Sequence, residues 1–157
     1  MRTHGSAQKI LFLLICCITS LTFASPNEVV IKDVYAGWCN AIDSSKGDVQ
    51  RVVKYYAKDA ILLPTLSARI LRNNKHGGIS DYFVHLTSRP NIKCKSGMLI
   101  TQMLSDNLAV NSGYYEFSYT EDGKIKKIPA RFNFVYKKVG DSWLIINHHS
   151  SVLPREI

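Results

Sequence analysis

Residues 124–153 read KIKKIPARFNFVYKKVGDSWLIINHHSSVL. Two runs of about a dozen residues, Lys124 to Lys138 and Ser142 to Leu153, flank Gly140-Asp141, a turn pair. Each run predicts a long strand, and the tight turn makes them an antiparallel hairpin. In the first run the side chains alternate: Phe132, Phe134 and Tyr136 share one face, and Arg131, Asn133 and Val135 share the other. If helices cover the Arg131 face, the three rings lie outside and require a partner. If the rings face the helices, Arg131 is solvated. Periodicity does not choose between the two packings.

Upstream, Ile92 to Leu104 and Leu108 to Thr120 predict two more strands, with Ser105-Asp106-Asn107 and Asp122-Gly123 as turns. The four together form an antiparallel meander. The chain before them reads as helical. Val29 to Asp43 carries Val30, Val34, Trp38 and Ala41 at helical spacing. Gly47-Asp48 supplies a break and an N-cap for a second helix through about Lys58, with Val49, Val52, Val53 and Tyr56 as its stripe. Ala60 to Leu63 is a short strand ended by Pro64, Ala68 to Gly78 a basic loop, and Ile79 to Leu86 a third helix stopped before Pro90. Helices followed by a curved antiparallel sheet define an α+β class, with room for a pocket between the layers.

The 157 residues suit one domain. Eight Tyr, six Phe and two Trp provide enough to bury that disorder is excluded as the main state. A single long apolar run excludes a multi-pass membrane protein. That run, Ile10 to Phe23, follows Arg2 and Lys9 and ends at Thr22-Phe23-Ala24. It is short of the roughly 20 residues of a membrane span and reads as a signal peptide over residues 1–24, ahead of an uncleaved anchor or a lipoprotein. The domain is then 25–157, exported to the periplasm or secreted. Cleavage reduces the formal charge from +8 to +6. Scattered lysines favour solubility over an anionic partner, and neither nucleic acid nor, after cleavage, a membrane is expected as partner. Cys39 and Cys94 remain; two separate buried thiols are favoured over a disulfide.

The candidate chemistry centres on few residues. A guanidinium at Arg131 on a concave face, with Asn133 beside it, would hold a carboxylate with two hydrogen bonds; the alternative is an ion pair with Asp59 or Glu116. His148 and His149 are adjacent on a strand and point to opposite faces, so at most one enters a pocket, as acid or base. Asp59 and Glu116 are the carboxylates available to pair with it. Tyr56, Tyr82, Tyr115 and Trp38, with Tyr35, suit the lining of a site for a small organic ligand, although for any one of them a place in the packed core is favoured. Nucleophile motifs, a phosphate-cradling glycine loop and metal-ligand spacing are absent, so no cofactor and no metal are expected.

A family resemblance rests on Tyr55-Tyr56-Ala57-Lys58-Asp59-Ala60, Leu62-Leu63-Pro64-Thr65-Leu66-Ser67, and Ile79 with Tyr82-Phe83. Ala130-Arg131-Phe132-Asn133-Phe134-Val135-Tyr136 and Trp143 to Ser151, with Pro154, complete it. Residues 29–155 resemble the nuclear transport factor 2-like superfamily, and within it bacterial relatives of the calcium/calmodulin-dependent protein kinase II association (hub) domain. The resemblance implies a cone-shaped fold with N-terminal helices packed on a curved antiparallel sheet. It also implies a homodimer or larger ring through the outer sheet face, in keeping with outward Phe132, Phe134 and Tyr136. The hub pocket is rich in arginine and takes a small carboxylate; here only Arg131 is a plausible counterpart, because the hub's other pocket arginine falls near the position of Ser150 and that cationic anchor is missing. The expectation is an exported homo-oligomeric domain with a pocket for a small anionic or polar organic ligand. The alternatives are a cofactor-free isomerase, dehydratase or cyclase, and an assembly module only.

Overall fold

A computed structural model describes residues 25–44, 47–65, 67–73 and 76–154; the expected signal peptide lies outside them. Among the described residues no helix is long and apolar enough to cross a membrane. The elements in chain order are α1 (Pro26–Ser44), α2 (Gln50–Val53), β1 (Tyr56–Leu63), β2 (Leu71–Arg72), α3 (Ile79–Thr87), β3 (Lys93–Ser105), β4 (Leu108–Glu121), β5 (Lys124–Val139) and β6 (Ser142–Val152). The expected meander is β3 to β6, with ends within two residues of those read from the sequence. Asp122 and Gly123 both adopt positive φ, 51° and 70°. That pair makes the two-residue turn whose twist matches the flanking strands.

The first half departs from expectation in two places. The second helix stops at Val53, and Tyr56 to Lys58 belong to β1 instead. Tertiary pairing decides this: β1 runs parallel to β6, with Leu62 opposite His148 and Leu63 opposite His149. The Ile145 N–H donates to the Tyr55 carbonyl at 2.8 Å, which draws the chain into the sheet before a longer helix can form. The short β2 then adds to β1, giving a six-stranded sheet in the order β2-β1-β6-β5-β4-β3.

The sheet's inner face packs on α1. The buried stripe of α1 is Ile31, Tyr35, Trp38 and Ile42, one residue round from the expected Val30-Val34 line; Val30 is exposed. The outward-aromatic expectation for β5 is overturned. Phe132, Phe134 and Tyr136 are buried, and Arg131 and Asn133 are on the exposed face. The reason is packing: Phe132 stacks on Tyr35 at 5.1 Å, and Phe134 meets Trp38 edge-on at 4.9 Å. Three rings left in water would forfeit roughly 1.5–3 kcal/mol each.

The expectation of separate thiols is also corrected. Cys39 of α1 and Cys94 of β3 form a disulfide across a Cα–Cα distance of 5.4 Å. Asp43, one turn on from Cys39, accepts from the Cys94 N–H and lies 3.8 Å from the Lys93 ammonium, so the same corner of the sheet is held twice.

Candidate functional site

Strand alternation from Trp143 would turn residue 145 and then residues 147 and 149 inward. A β-bulge breaks that sequence. Tyr136 pairs with Ile145, but Val135 pairs with Asn147, so Ile146 is the extra residue. From there the parity flips, and His148 and Ser150 are the buried positions while His149 is exposed.

His148 sits in a cage of rings, 4.1 Å from the Phe134 centroid and 5.6 Å from that of Trp38. The Tyr56 hydroxyl lies 2.8 Å from its Nδ1, and the Tyr115 hydroxyl 3.3 Å from its Nε2. Tyr115 donates to the Ser150 Oγ at 2.6 Å. Its oxygen is therefore free to accept from His148 Nε2–H, and Nδ1 accepts from Tyr56. Ser150 in turn hydrogen-bonds the Thr65 hydroxyl. The result is a directed chain from Tyr56 in the core to Thr65 just beyond β1. Burial, then the neighbouring His149, pushes the His148 pKa well below its usual value of 6.5. Burial raises the tyrosines at 56 and 115 well above 10.0. The chain is thus neutral throughout.

Thr65 opens on a cleft of about 180 Å³ at the mouth of the cone, where Tyr82, His85, Leu86 and Arg89 face Phe117 and Ile128 across the gap. The Tyr82 pKa is pushed up to about 12 by burial, against the opposing pull of the Arg89 charge. Arg89 lies over the Tyr119 ring at 4.2 Å and reaches Glu121 at 3.9 Å.

The structure therefore divides the expected site residues. Trp38, Tyr56 and Tyr115 are core around His148, and Tyr82 lines the mouth. Arg131, Asn133 and His149 lie on the opposite, outer face. Asp59 is exposed on β1, and Glu116 pairs with Lys127 at 3.6 Å. Neither carboxylate meets a histidine or Arg131 among the described residues. Thr65, Ser150, His85 and Arg89 were not singled out as site residues. Thr65 and Ser150 stand inside the stretches that carry the family resemblance, which was the one available signal for them.

An α1 helix lying on the hollow of a curved, unclosed sheet defines the nuclear transport factor 2-like, cystatin-like class. Residues 27–154 match the family model of the calcium/calmodulin dependent protein kinase II association domain. The chain belongs to that family. A Xanthomonas campestris protein assigned to the same domain is 32% identical, with a TM-score of 0.73 over 85% of this chain and 95% of that one. The association domain of the C. elegans kinase superposes at a TM-score of 0.65 with 11% identity, over 80% of this chain and 95% of that one. A candidate dehydratase of the same fold from Streptomyces avermitilis gives 0.68 with 11% identity, over 81% and 97%. At such identities the last two show the fold alone. No curated protein matches the chain.

Proposed function

We propose that the protein is an exported domain that associates with copies of itself through the outer face of its sheet and takes a small polar or anionic organic molecule at the mouth of its cone. The outer face carries this reading. Met98, Ile100 and Leu104 of β3 are 64%, 55% and 60% exposed, and Tyr114 of β4 adds an exposed ring beside them. Met98, Ile100 and Tyr114 line one groove there; exposed apolar groups gathered in this way mark an interaction surface, and a family of association domains makes a second copy its natural occupant. The apolar stretch at residues 10–23 supports export, and paired cysteines suit an oxidising compartment.

The mouth cleft is smaller than the roughly 300 Å³ at which drug-sized sites begin, so it suits a molecule of few heavy atoms. Arg89, His85 and Thr65 supply its polar contacts. An acid–base enzyme is the weaker reading, because both nitrogens of His148 are already engaged and Asp59 and Glu116 lie away from the cleft.

Native mass spectrometry of the purified protein tests the reading. A dimer or larger ring is expected at micromolar concentration, and Ile100→Lys is expected to give a folded monomer by circular dichroism. A small-molecule mass carried by the wild type and lost in Arg89→Ala would identify the mouth ligand. A wild type that stays monomeric overturns self-association.

A further inference from the structure

Beside the apolar residues of the outer face lies a groove of about 390 Å³ with a polar floor. Ser112 donates to the Asn133 side-chain oxygen, which leaves the Asn133 amide group with unused donors. Arg131 donates from Nε to the Ser151 Oγ at 3.2 Å. Among the described residues no carboxylate lies within ion-pair distance of its guanidinium. Glu116, two residues along β4 from Tyr114, the cross-strand partner of Arg131, is held by Lys127.

An exposed Arg131 is satisfied by water. Once a second copy covers the groove, the guanidinium loses that water with no acid on its own chain to replace it. Burying a cation unpaired is costly, and a bound anion removes the cost. The groove offers what an oxyanion needs: the planar fork of Arg131, the Asn133 amide, and the floor hydroxyl of Ser151. We infer that the outer-face groove is an oxyanion site completed by self-association, in which Arg131 and Asn133 hold a carboxylate or phosphate group that the second copy encloses. This inference rests on self-association through that face.

Because the anion binds the associated state in preference to the monomer, it must strengthen association by mass action. Sedimentation equilibrium at fixed pH and ionic strength, with chloride exchanged stepwise for phosphate or for acetate, reads this. The expected result is a fall in the wild-type dissociation constant, about tenfold for each enclosed groove once the anion reaches about ten times its own site constant. A response to phosphate only, or to acetate only, would still support the site and would name the group it prefers. Arg131→Gln is expected to associate at least as tightly as wild type in chloride, since a neutral amide replaces a cation that chloride leaves unneutralised. It is also expected to lose the anion response. A wild type that associates equally in all three salts overturns the oxyanion site and leaves self-association standing. An anion response that survives Arg131→Gln overturns it as well. A monomer in every salt overturns both.

Discussion

At His148 the two tyrosines that hold the ring also fix its proton. Tyr115 spends its own hydrogen on Ser150, so the imidazole carries its proton on Nε2 and accepts at Nδ1. A second proton would put a charge in a fully buried ring and would end the hydrogen bond that Nδ1 accepts from Tyr56. The pKa is accordingly depressed, first by burial and then by the neighbouring His149. The unfolded chain takes up that proton near pH 6.5, whereas the folded chain refuses it until well below. Stability is therefore full above that pH and declines as pH falls through it, by up to about 1.4 kcal/mol per pH unit. Urea unfolding between about pH 7 and pH 5 is expected to show this slope, and His148→Gln is expected to flatten it while lowering stability throughout. A slope unchanged by the substitution would assign the proton uptake to another group. Which histidine turns inward was not legible in the sequence, because strand alternation cannot locate an inserted residue. The side of the sheet on which Arg131 lies was hidden for a related reason. Its own strand has a clean alternation, but the partner that decides between the faces is α1, about ninety residues earlier.

Among the elements, the long strands were legible because each combines alternation with a turn signal at both ends. The expected Lys124–Lys138 strand and the observed Lys124–Val139 differ by one residue. The misread element was the one whose fate is settled at a distance. Tyr56 to Lys58 continues a helical pattern locally and becomes strand through its pairing with β6. Bulges are the other hidden feature. β3 pairs regularly up to Ser96 opposite Tyr115 and resumes at Leu99 opposite Gly113, and the displaced backbone crosses close above that glycine. A Cβ on Gly113 would stand 2.1 Å from the Met98 carbonyl oxygen. Backbone cannot swing aside as a side chain can. Gly113→Ala is expected to cost at least about 1–3 kcal/mol, the range for overpacking, and to disturb the Met98–Ile100 surface. Chemical denaturation checks the first effect, and the association measurement above checks the second. A variant as stable as wild type would mean that the bulge accommodates a methyl group.

For the whole molecule, the disulfide is the strongest covalent constraint on the described fold. It joins residues separated by 55 positions in sequence, tying α1, the longest helix among the described residues, to an edge strand of the sheet. By the loop-closure relation such a link stabilises by about 4 kcal/mol, chiefly by restricting the unfolded chain. Replacing both cysteines by serine is expected to lower the free energy of unfolding by about that amount while leaving the circular dichroism spectrum unchanged at low temperature. A loss below about 1 kcal/mol would mean that α1 docks equally well without the link. The strand order has a separate consequence, for how the molecule is made. β6 is the last of the described strands in chain order and stands third in the sheet, between β1 and β5. Before it emerges from the ribosome, the sheet exists only as two disconnected pieces, a β1-β2 pair with two paired positions and the β3-β4-β5 hairpins. His148 and Ser150 are also missing, so the hydroxyls of Tyr56 and Tyr115 have nothing between them. The native sheet can close only after β6 has followed the other five described strands out. Until β6 is made, the inner edges of β1 and β5 therefore stay unpaired and are open to any other strand that meets them.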